Sequence, residues 1–288
     1  MSDMSLCTLA DLLPQARKEG YAIGAFSVAN MEMVNAVIEA AEIMNAPVIL
    51  QLAQARLNGS PLHLMAPLML SAAKNAAVPI AVHLDHGTSL DVIQQALRLG
   101  FTSVMYDGSA LPLDQNIKNT LSVLHHAAQY GASVEAEIGA VGKTEDGKES
   151  AMSIAKEEDV FAFLHTVPVD AIAIAIGNAH GIYEAAPQLD FDLVSRLSKK
   201  TRMPFVFHGG TGITKQDFQQ MIQLGFAKIN IATASFLCMA DAYEEKHVDL
   251  YEKMAFVQKQ LTNTICGFIR DFGSDNKALK ERKKKDAV

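Results

Sequence analysis

The stretch AVHLDHG, residues 81–87, places two histidines and one aspartate at the end of a run of apolar residues. Such a run predicts a buried strand, and three titratable side chains at its end are costly to bury without a purpose. Imidazole nitrogens bind transition metals and exchange protons near neutral pH, and carboxylates act as general bases. His83, Asp85 and His86 are therefore the first candidates for a catalytic centre.

Two further histidines, His180 in GNAHG and His208 in HGGTG, also follow apolar runs and lie beside glycines. With His86 they would supply three imidazoles and leave a fourth position open, which is the arrangement that a catalytic zinc ion prefers. The neighbouring glycines let backbone or ligand approach closely. The pattern predicts a zinc site, with iron, cobalt and manganese as alternatives at the same ligands.

The glycine-rich turns in GNAHG and HGGTG are also suited to binding an anion. Exposed backbone N–H groups bind phosphate, and barrel enzymes commonly bind phosphate at the loops after their last two strands. Thr211 and the segment NIAT, residues 230–233, add hydroxyl and amide groups there. A metal and a phosphate site together predict a phosphorylated carbonyl substrate whose oxygen the metal polarises.

Such a site can make or break a carbon–carbon bond next to that carbonyl. A metal stabilises the enediolate that forms when the bond breaks, while one group removes a hydroxyl proton and another protonates the carbon. Asp85, next to His86, suits the first transfer. Glu145 lies in a long polar loop that we expect to close over the substrate, and it is the candidate for the second transfer.

The elements that must position these residues follow a regular alternation of strand-like and helix-like segments. Eight β-rich runs occur at residues 21–28, 47–53, 79–85, 101–107, 132–139, 171–177, 204–210 and 228–234. This rhythm predicts an α/β fold, a (β/α)8 TIM barrel in which the carboxyl ends of the strands meet at one mouth, with a doubly wound open sheet as the alternative. An extra N-terminal helix is predicted at 8–18, and a C-terminal helical extension after residue 234.

Composition excludes several classes of function. A formal net charge of −7 without an interior basic stripe argues against a nucleic-acid partner, and no apolar run is long enough to span a membrane. The three cysteines are scattered and the N-terminus lacks a signal-peptide pattern, so we expect a cytoplasmic protein. We expect one barrel domain over residues 1–288, with residues 275–288 forming a basic tail.

The motifs HLDHG, VEAEIG, AIAIGNAHG, VFHGGTG and KINIAT together resemble the class II, metal-dependent fructose- and tagatose-bisphosphate aldolases. Their order and spacing match from about residue 21 to the C-terminal helices, and the pattern is closest to the tagatose-type branch. The resemblance implies a TIM barrel. It also implies reversible cleavage of a ketose 1,6-bisphosphate into dihydroxyacetone phosphate and an aldehyde such as glyceraldehyde 3-phosphate.

The resemblance implies a role for each matched position. His86, His180 and His208 would bind Zn²⁺, Asp85 would exchange a proton with the aldehyde-side oxygen, and Glu145 would be the acid/base group of a mobile loop. The positions matching the substrate site are Gly181, Gly209, Gly210, Thr211, Asn230, Ile231, Ala232 and Thr233, and those near an alternative metal position are Asp107 and Glu137. A monovalent cation (Na⁺ or K⁺) near the phosphate loops and a homodimer or homotetramer are also implied.

Three positions depart from the fructose-type pattern. Ser27 stands where the family usually has Asn, Ala53 where it often has a small hydroxyl residue, and Ala232 where fructose-type members commonly have Asp. These departures leave the aldehyde half and the C4 stereochemistry open. Arg56, just past the second strand, is either a distal phosphate ligand or an exposed surface residue.

The same residues are also compatible with three other functions. They are a class II aldolase for a different phosphorylated ketose, a zinc-dependent barrel hydrolase or epimerase using the same histidines, and a barrel that binds ligands without turnover. A lysine Schiff-base enzyme is disfavoured because Lys228, the only lysine in a predicted strand, is placed at the end away from the mouth. For His83 we predict an orienting role beside the metal ligands.

Overall fold

The computed structural model describes residues 5–142, 152–246 and 249–278. Its strands are β1 (Leu6–Cys7), β2 (Ile23–Ser27), β3 (Val48–Ala53), β4 (Ile80–Gly87), β5 (Ser103–Tyr106), β6 (Ser133–Ile138), β7 (Ala171–Ile174), β8 (Phe205–Phe207) and β9 (Phe226–Ile231). Its helices are α1 (Leu9–Glu19), α2 (Met31–Ile43), α3 (Leu62–Asn75), α4 (Leu90–Leu99), α5 (Leu113–Ala128), α6 (Glu157–Thr166), α7 (Phe191–Lys200), α8 (Lys215–Gln223), α9 (Thr233–Glu244) and α10 (Leu250–Asp271).

Strands β2 to β9 close into a parallel barrel. Neighbours in the chain pair in order, β5 pairs with β4, and β9 pairs with β2 with Lys228 opposite Ile23. The fold is a (β/α)8 TIM barrel, and the predicted N-terminal helix and C-terminal helical extension are both present. Strand β1 was not predicted, because a two-residue strand pairing at Ile80 leaves no periodic signal.

The barrel interior has an apolar end and a polar end. At the amino ends of the strands, Ala25, Ile49 and Val206 pack with Leu9 and Leu13 of α1, which closes that end of the barrel. Thr8 begins α1 through a capping box with Asp11. The outer faces of the strands pack against the surrounding helices in a separate apolar cluster.

Towards the carboxyl ends the inward positions become polar although they remain buried. Along β4, Ala81 belongs to the apolar end, and His83 and Asp85, two and four positions later, have no exposed surface. The same change occurs on three other strands, β3, β6 and β9; their buried polar residues include Gln51, Glu135, Glu137, Lys228 and Asn230. Buried polar groups need partners, so these side chains must satisfy one another or a ligand.

Strands β7 and β8 end three residues before their predicted ends, and the last strand is shifted towards the N-terminus. It was predicted at 228–234, but β9 begins at Phe226 and ends at Ile231, and α9 begins at Thr233. Residues 279–288 of the predicted basic tail lie outside the described residues. Within the described ranges, no helix combines the length and the apolar character required to cross a bilayer.

Candidate active site

A bulge near the end of β4 brings two adjacent residues to the same mouth. The pairing of β4 with β5 shifts between Leu84 and Gly87, and His86 has a left-handed φ of 47°, which is uncommon outside glycine. A Cβ on Gly87 would lie 2.5 Å from the carbonyl oxygen of Met105, so glycine is required for this approach. Asp85 and His86 therefore escape the alternation that would send neighbours to opposite faces.

The three predicted histidine ligands meet at the mouth. His86 Nε2 lies 2.7 Å from His208 Nδ1 and 3.2 Å from His180 Nε2. The loops that carry them are joined, because Asn178 Nδ2 donates to the carbonyl oxygen of His208 at 2.8 Å. Gly142, at the start of the long loop after β6, accepts a hydrogen bond from the backbone of His180 at 2.8 Å. The structure thus brings the predicted ligand set together.

The outer nitrogens of two of these histidines face carboxylates, and this determines what the inner nitrogens can do. His86 Nδ1 lies 2.8 Å from Asp107 Oδ2, and His208 Nε2 lies 2.9 Å from Glu135 Oε1. Ionised carboxylates only accept, so both outer nitrogens carry the protons. In neutral rings His86 Nε2 and His208 Nδ1 then point lone pairs at each other, which requires a proton or a cation between them. The donor set fits a transition metal such as Zn²⁺.

The charges around the metal-free site favour protonation of one of these rings over the other. Burial opposes protonation of His86, but the charges of Asp85 and Asp107 and the hydrogen bond to Asp107 outweigh it and raise the pKa of His86 well above its usual value. Burial, and then the charge of His86, lower the pKa of His208. Without metal, protonation of His86 is therefore favoured over protonation of His208, and a metal ion bound at the same nitrogens competes with that proton.

A second group of ligand atoms lies on the other side of His86. Asp107 and Glu137 form a cluster with His86, and Glu137 Oε2 is 4.0 Å from its Nδ1. Burial would raise the pKa of Asp107, but the hydrogen bond and charge of His86 and the donors of Ser109 hold it well below its usual range. Burial and the charge of Asp107 raise the pKa of Glu137. The two acidic residues predicted near an alternative metal position therefore lie together, with ligand atoms within 4.8 Å of one another and of His86.

Asp85 is held by amide groups from two other strands. Its Oδ1 accepts from Asn230 Nδ2 at 3.1 Å, and its Oδ2 accepts from Gln51 Nε2 at 3.2 Å. Gln51 Nε2 also donates to Ser27 Oγ at 3.0 Å. Among the described residues, nothing hydrogen-bonds to Gln51 Oε1 or Asn230 Oδ1, although both atoms are buried. Two unpaired acceptors beside a carboxylate suit the hydroxyl groups of a sugar.

His83 lies deeper in the barrel than the three-histidine cluster. Its Nδ1 is 2.9 Å from Ser103 Oγ, and its Nε2 is 3.9 Å from Asp85 Oδ1 and 3.7 Å from Glu135 Oε2. Burial and the nearby charge of Lys228 lower the pKa of His83, so the ring is neutral at neutral pH. This position beside two carboxylates supports the predicted orienting role.

The predicted phosphate-binding residues lie on adjoining loops. Thr211 Oγ1 accepts from the backbone of Ala234 in the first turn of α9 at 3.0 Å, and the backbone of Gly210 donates to the carbonyl oxygen of Asn230. Gly209 and Gly181 have φ values of 74° and 89°, which glycine adopts without strain. Of the remaining predicted substrate residues, Ile231 ends β9, Ala232 precedes α9 and Thr233 begins it. A helix N-terminus flanked by glycine-rich turns is suited to an anion.

A tyrosine that sequence reasoning missed joins two of these loops. Tyr183 Oη donates to the carbonyl oxygen of Gly209 at 2.9 Å and accepts from the backbone of Ala179 at 3.0 Å. A Cβ on Gly209 would lie 2.1 Å from the carbonyl oxygen of Ala179, so the loops are in close contact. The two residues that Tyr183 binds are neighbours of metal-ligand candidates in the chain: Ala179 precedes His180, and Gly209 follows His208.

The remaining predicted residues have different outcomes. Glu145 lies outside the described residues. Ala53 ends β3 opposite Asp85, and Arg56 lies on the following turn with its guanidinium carbon 5.3 Å from the ring centre of Phe236. The placement of Lys228 was wrong: because β9 starts two residues earlier than predicted, this lysine is an internal, fully buried position with Nζ 2.8 Å from Glu135 Oε2. Lys228 and Asn230 are two positions apart in the same strand, so their side chains point to the same face of the sheet. This spacing could have placed Lys228 inside the barrel from the sequence.

Comparison with known proteins agrees with this geometry. Residues 7–277 match the family model of class-II fructose-bisphosphate aldolase. The chain is 39% identical to a sulfofructosephosphate aldolase from Alkalicoccus urumqiensis, over 93% of this chain and 96% of that one. It is 34% identical to a 6-phospho-5-dehydro-2-deoxy-D-gluconate aldolase from Bacillus velezensis, over 97% and 99% of the two chains.

The solved structures agree with the sequence comparison. The crystal structure of the YdjI aldolase from Escherichia coli K12 superposes with a TM-score of 0.87 and 32% identity, over 95% of this chain and 99% of that one. The family and the relatives all carry aldolase names, so the protein is an enzyme. With its barrel, its three convergent histidines and this match over nearly its whole length, the chain belongs to the class-II fructose-bisphosphate aldolase family.

Proposed function

We propose that this enzyme reversibly cleaves a ketose 1,6-bisphosphate of the tagatose or fructose type into dihydroxyacetone phosphate and an aldehyde such as glyceraldehyde 3-phosphate. The observation that carries the proposal is the convergence of His86, His180 and His208 beside the buried carboxylate of Asp85. A histidine cluster alone would also suit a hydrolase, but a carboxylate beside amide oxygens that have no partner among the described residues suits a polyhydroxy substrate.

In the proposed metal site, His86 and His208 bind the metal through the ring nitrogen that does not face a carboxylate. His86 and His180 would bind Zn²⁺ through Nε2 and His208 through Nδ1, since the other nitrogens of His86 and His208 donate to Asp107 and Glu135. When bound, Zn²⁺ supplies polarisation of the substrate carbonyl and stabilises the negative charge that develops on its oxygen.

Asp85 carries the first proton transfer of the proposed cleavage. Its carboxylate takes the proton of the C4 hydroxyl group as the C3–C4 bond breaks, so that C4 becomes the aldehyde carbon and the bonding electrons stay with the three-carbon ketone fragment. Gln51 and Asn230 donate to the two carboxylate oxygens, which fixes their direction. Their own amide oxygens, which have no partner in the part of the chain that the structure describes, are available to substrate hydroxyls. Glu145 would then protonate C3 of the fragment.

The substrate phosphate next to the ketone would bind at the loops after β7, β8 and β9. Gly181, Gly209, Gly210 and Thr211 supply backbone and hydroxyl groups, and the segment from Asn230 to Thr233 leads into the N-terminus of α9. The proposal also includes a monovalent cation at these loops, a homodimer or homotetramer, and a cytoplasmic location.

A second candidate substrate is a phosphorylated ketose with a different distal group. Ser27 and Ala53 flank the Asp85 end of the site and depart from the fructose-type pattern, and relatives of similar likeness are named for sulfofructosephosphate, fructose bisphosphate and a phosphorylated deoxygluconate. These names differ in the half of the molecule that would leave as the aldehyde.

The test is condensation of dihydroxyacetone phosphate with three-carbon aldehydes that carry a phosphate, a sulfonate, a carboxylate or no charge. NMR of the products gives the C4 configuration. We expect a C3–C4 bond to form with at least one of these aldehydes, and preference for the phosphorylated one supports the bisphosphate proposal. Preference for the sulfonate or carboxylate supports the second candidate, and no condensation with any aldehyde contradicts both.

A further inference from the structure

A buried pair outside the ligand set, Glu135 and Lys228, lies behind one of the metal-binding histidines. Glu135 Oε1 is 2.9 Å from His208 Nε2, and Glu135 Oε2 accepts from Lys228 Nζ at 2.8 Å. Glu135 and Lys228 have no exposed surface, and His208 is 1% exposed. We propose that this pair is a positioning device that determines which nitrogen of His208 faces the metal, an inference that rests on the proposed metal site.

The donors and acceptors of this pair determine the direction of each hydrogen bond. A lysine ammonium group has only donors, so the buried Lys228 requires an oxygen atom as its acceptor. A carboxylate has two oxygens, and Glu135 therefore satisfies Lys228 with one and accepts the Nε2 proton of His208 with the other. His208 is consequently held in the form whose Nδ1 lone pair faces His86 Nε2 at 2.7 Å.

Replacing Glu135 by glutamine keeps the shape of the side chain but changes which of its atoms can accept a hydrogen bond. The amide has a single oxygen, and Lys228 takes it because no other atom of the amide can accept. The NH₂ group then faces His208 Nε2, which must become the acceptor, so the ring proton moves to Nδ1. That proton occupies the position at which the metal should bind.

The lysine is therefore predicted to cause the defect of the glutamine variant. In the double variant, Glu135→Gln with Lys228→Met, the lysine that would bind the amide oxygen is gone. The amide can therefore rotate and accept from His208 Nε2 again. Lys228→Met alone leaves a carboxylate that still accepts from His208. This single change removes the partner of a buried charge and should lower stability while preserving the direction of Nδ1.

The test is zinc affinity, measured by competition with a chromophoric chelator, for the wild type, both single variants and the double variant. We expect Glu135→Gln to weaken zinc binding about 10- to 100-fold, Lys228→Met to change it much less, and the double variant to recover most of the loss. Asp170→Asn is the control, since that carboxylate accepts from the backbone of Val134 at 2.7 Å and belongs to neither metal cluster.

Two further readouts separate positioning from simple structural damage. Urea unfolding of the metal-free variants gives their stability, and if zinc affinity falls in proportion to stability without recovery in the double variant, the inference is wrong. Two-bond ¹H–¹⁵N NMR on metal-free wild type should show the His208 proton on Nε2, and a proton on Nδ1 overturns the inference even if a variant fails to fold. A wild type that binds no zinc overturns the proposed metal site as well, whereas normal binding by a folded Glu135→Gln variant overturns only the role of the pair.

Discussion

The hydroxyl group of Tyr183 offers a one-atom test of how the site is assembled. It bridges the backbone of Ala179 and the carbonyl oxygen of Gly209, which adjoin His180 and His208 respectively. Tyr183→Phe removes this bridge and leaves both backbone groups without the partner they have in the structure. We expect the loops to separate more easily when no metal is bound.

The size of the effect follows from the two hydrogen bonds that the variant loses. Each hydrogen bond contributes about 1 kcal/mol net, so removing two costs about 2 kcal/mol, and more if the backbone groups stay dry. If metal binding must restore the same loop arrangement, about 2 kcal/mol corresponds to roughly 30-fold weaker zinc affinity. The KM for dihydroxyacetone phosphate should rise as well, because the same loops carry the predicted phosphate site.

The assay is zinc competition together with the steady-state kinetics of condensation. The matched control is Tyr106→Phe, whose hydroxyl accepts one hydrogen bond from Asn119 at 2.7 Å on the helix side of the barrel. Equal zinc affinity and equal KM in the two variants would refute the idea that Tyr183 clamps the site.

The remaining predictions concern the proton groups and the loop contact. Asp85→Asn should lower turnover by about 10²- to 10⁴-fold with zinc still bound, and near-normal turnover would refute its role. Because the pKa of His86 is raised in the metal-free site, zinc binding near pH 7 should release about one proton and tighten as pH rises through that pKa; calorimetry in two buffers detects this, and no release would contradict it. Gly209→Ala should destabilise the fold more than Gly131→Ala in urea unfolding, since its Cβ would meet a carbonyl oxygen at 2.1 Å whereas Gly131 has open space; equal losses would contradict the contact.

The barrel and its histidine cluster were predictable because both produce a clear pattern in the amino-acid sequence. Apolar runs that alternate with helical segments define the strands, and polar side chains at their ends are costly unless they have a function. His86, His180 and His208 were found for this reason, and the structure brings them together. Asp85 was found by its position next to a ligand.

The supporting contacts were missed because they depend on register and on backbone atoms. Glu135 and Lys228 are 93 residues apart, and their contact requires both strands to be placed correctly, whereas the last strand was started two residues late. Within the described ranges, the hydroxyl group of Tyr183 hydrogen-bonds to backbone groups alone, so no pair of side-chain types marks its role. The bulge at His86 breaks the alternation on which strand reasoning depends.

The aldehyde side of the site was the least predictable part. Ser27 and Gln51 hydrogen-bond to each other inside the barrel, and the oxygen of Gln51 remains for a ligand among the residues that the structure describes. A sequence shows which residue types are present there but does not show which of their atoms are already paired.

The central claim is that the three histidines hold a metal that this enzyme needs for carbon–carbon bond chemistry. The most direct measurement is the exchange of the carbon-bound hydrogen of dihydroxyacetone phosphate with D₂O, followed by NMR, because it needs no aldehyde. We expect exchange to stop when a chelator removes the metal and to return when zinc is added. Full exchange in chelator, with a lysine adduct trapped by borohydride, would contradict the account.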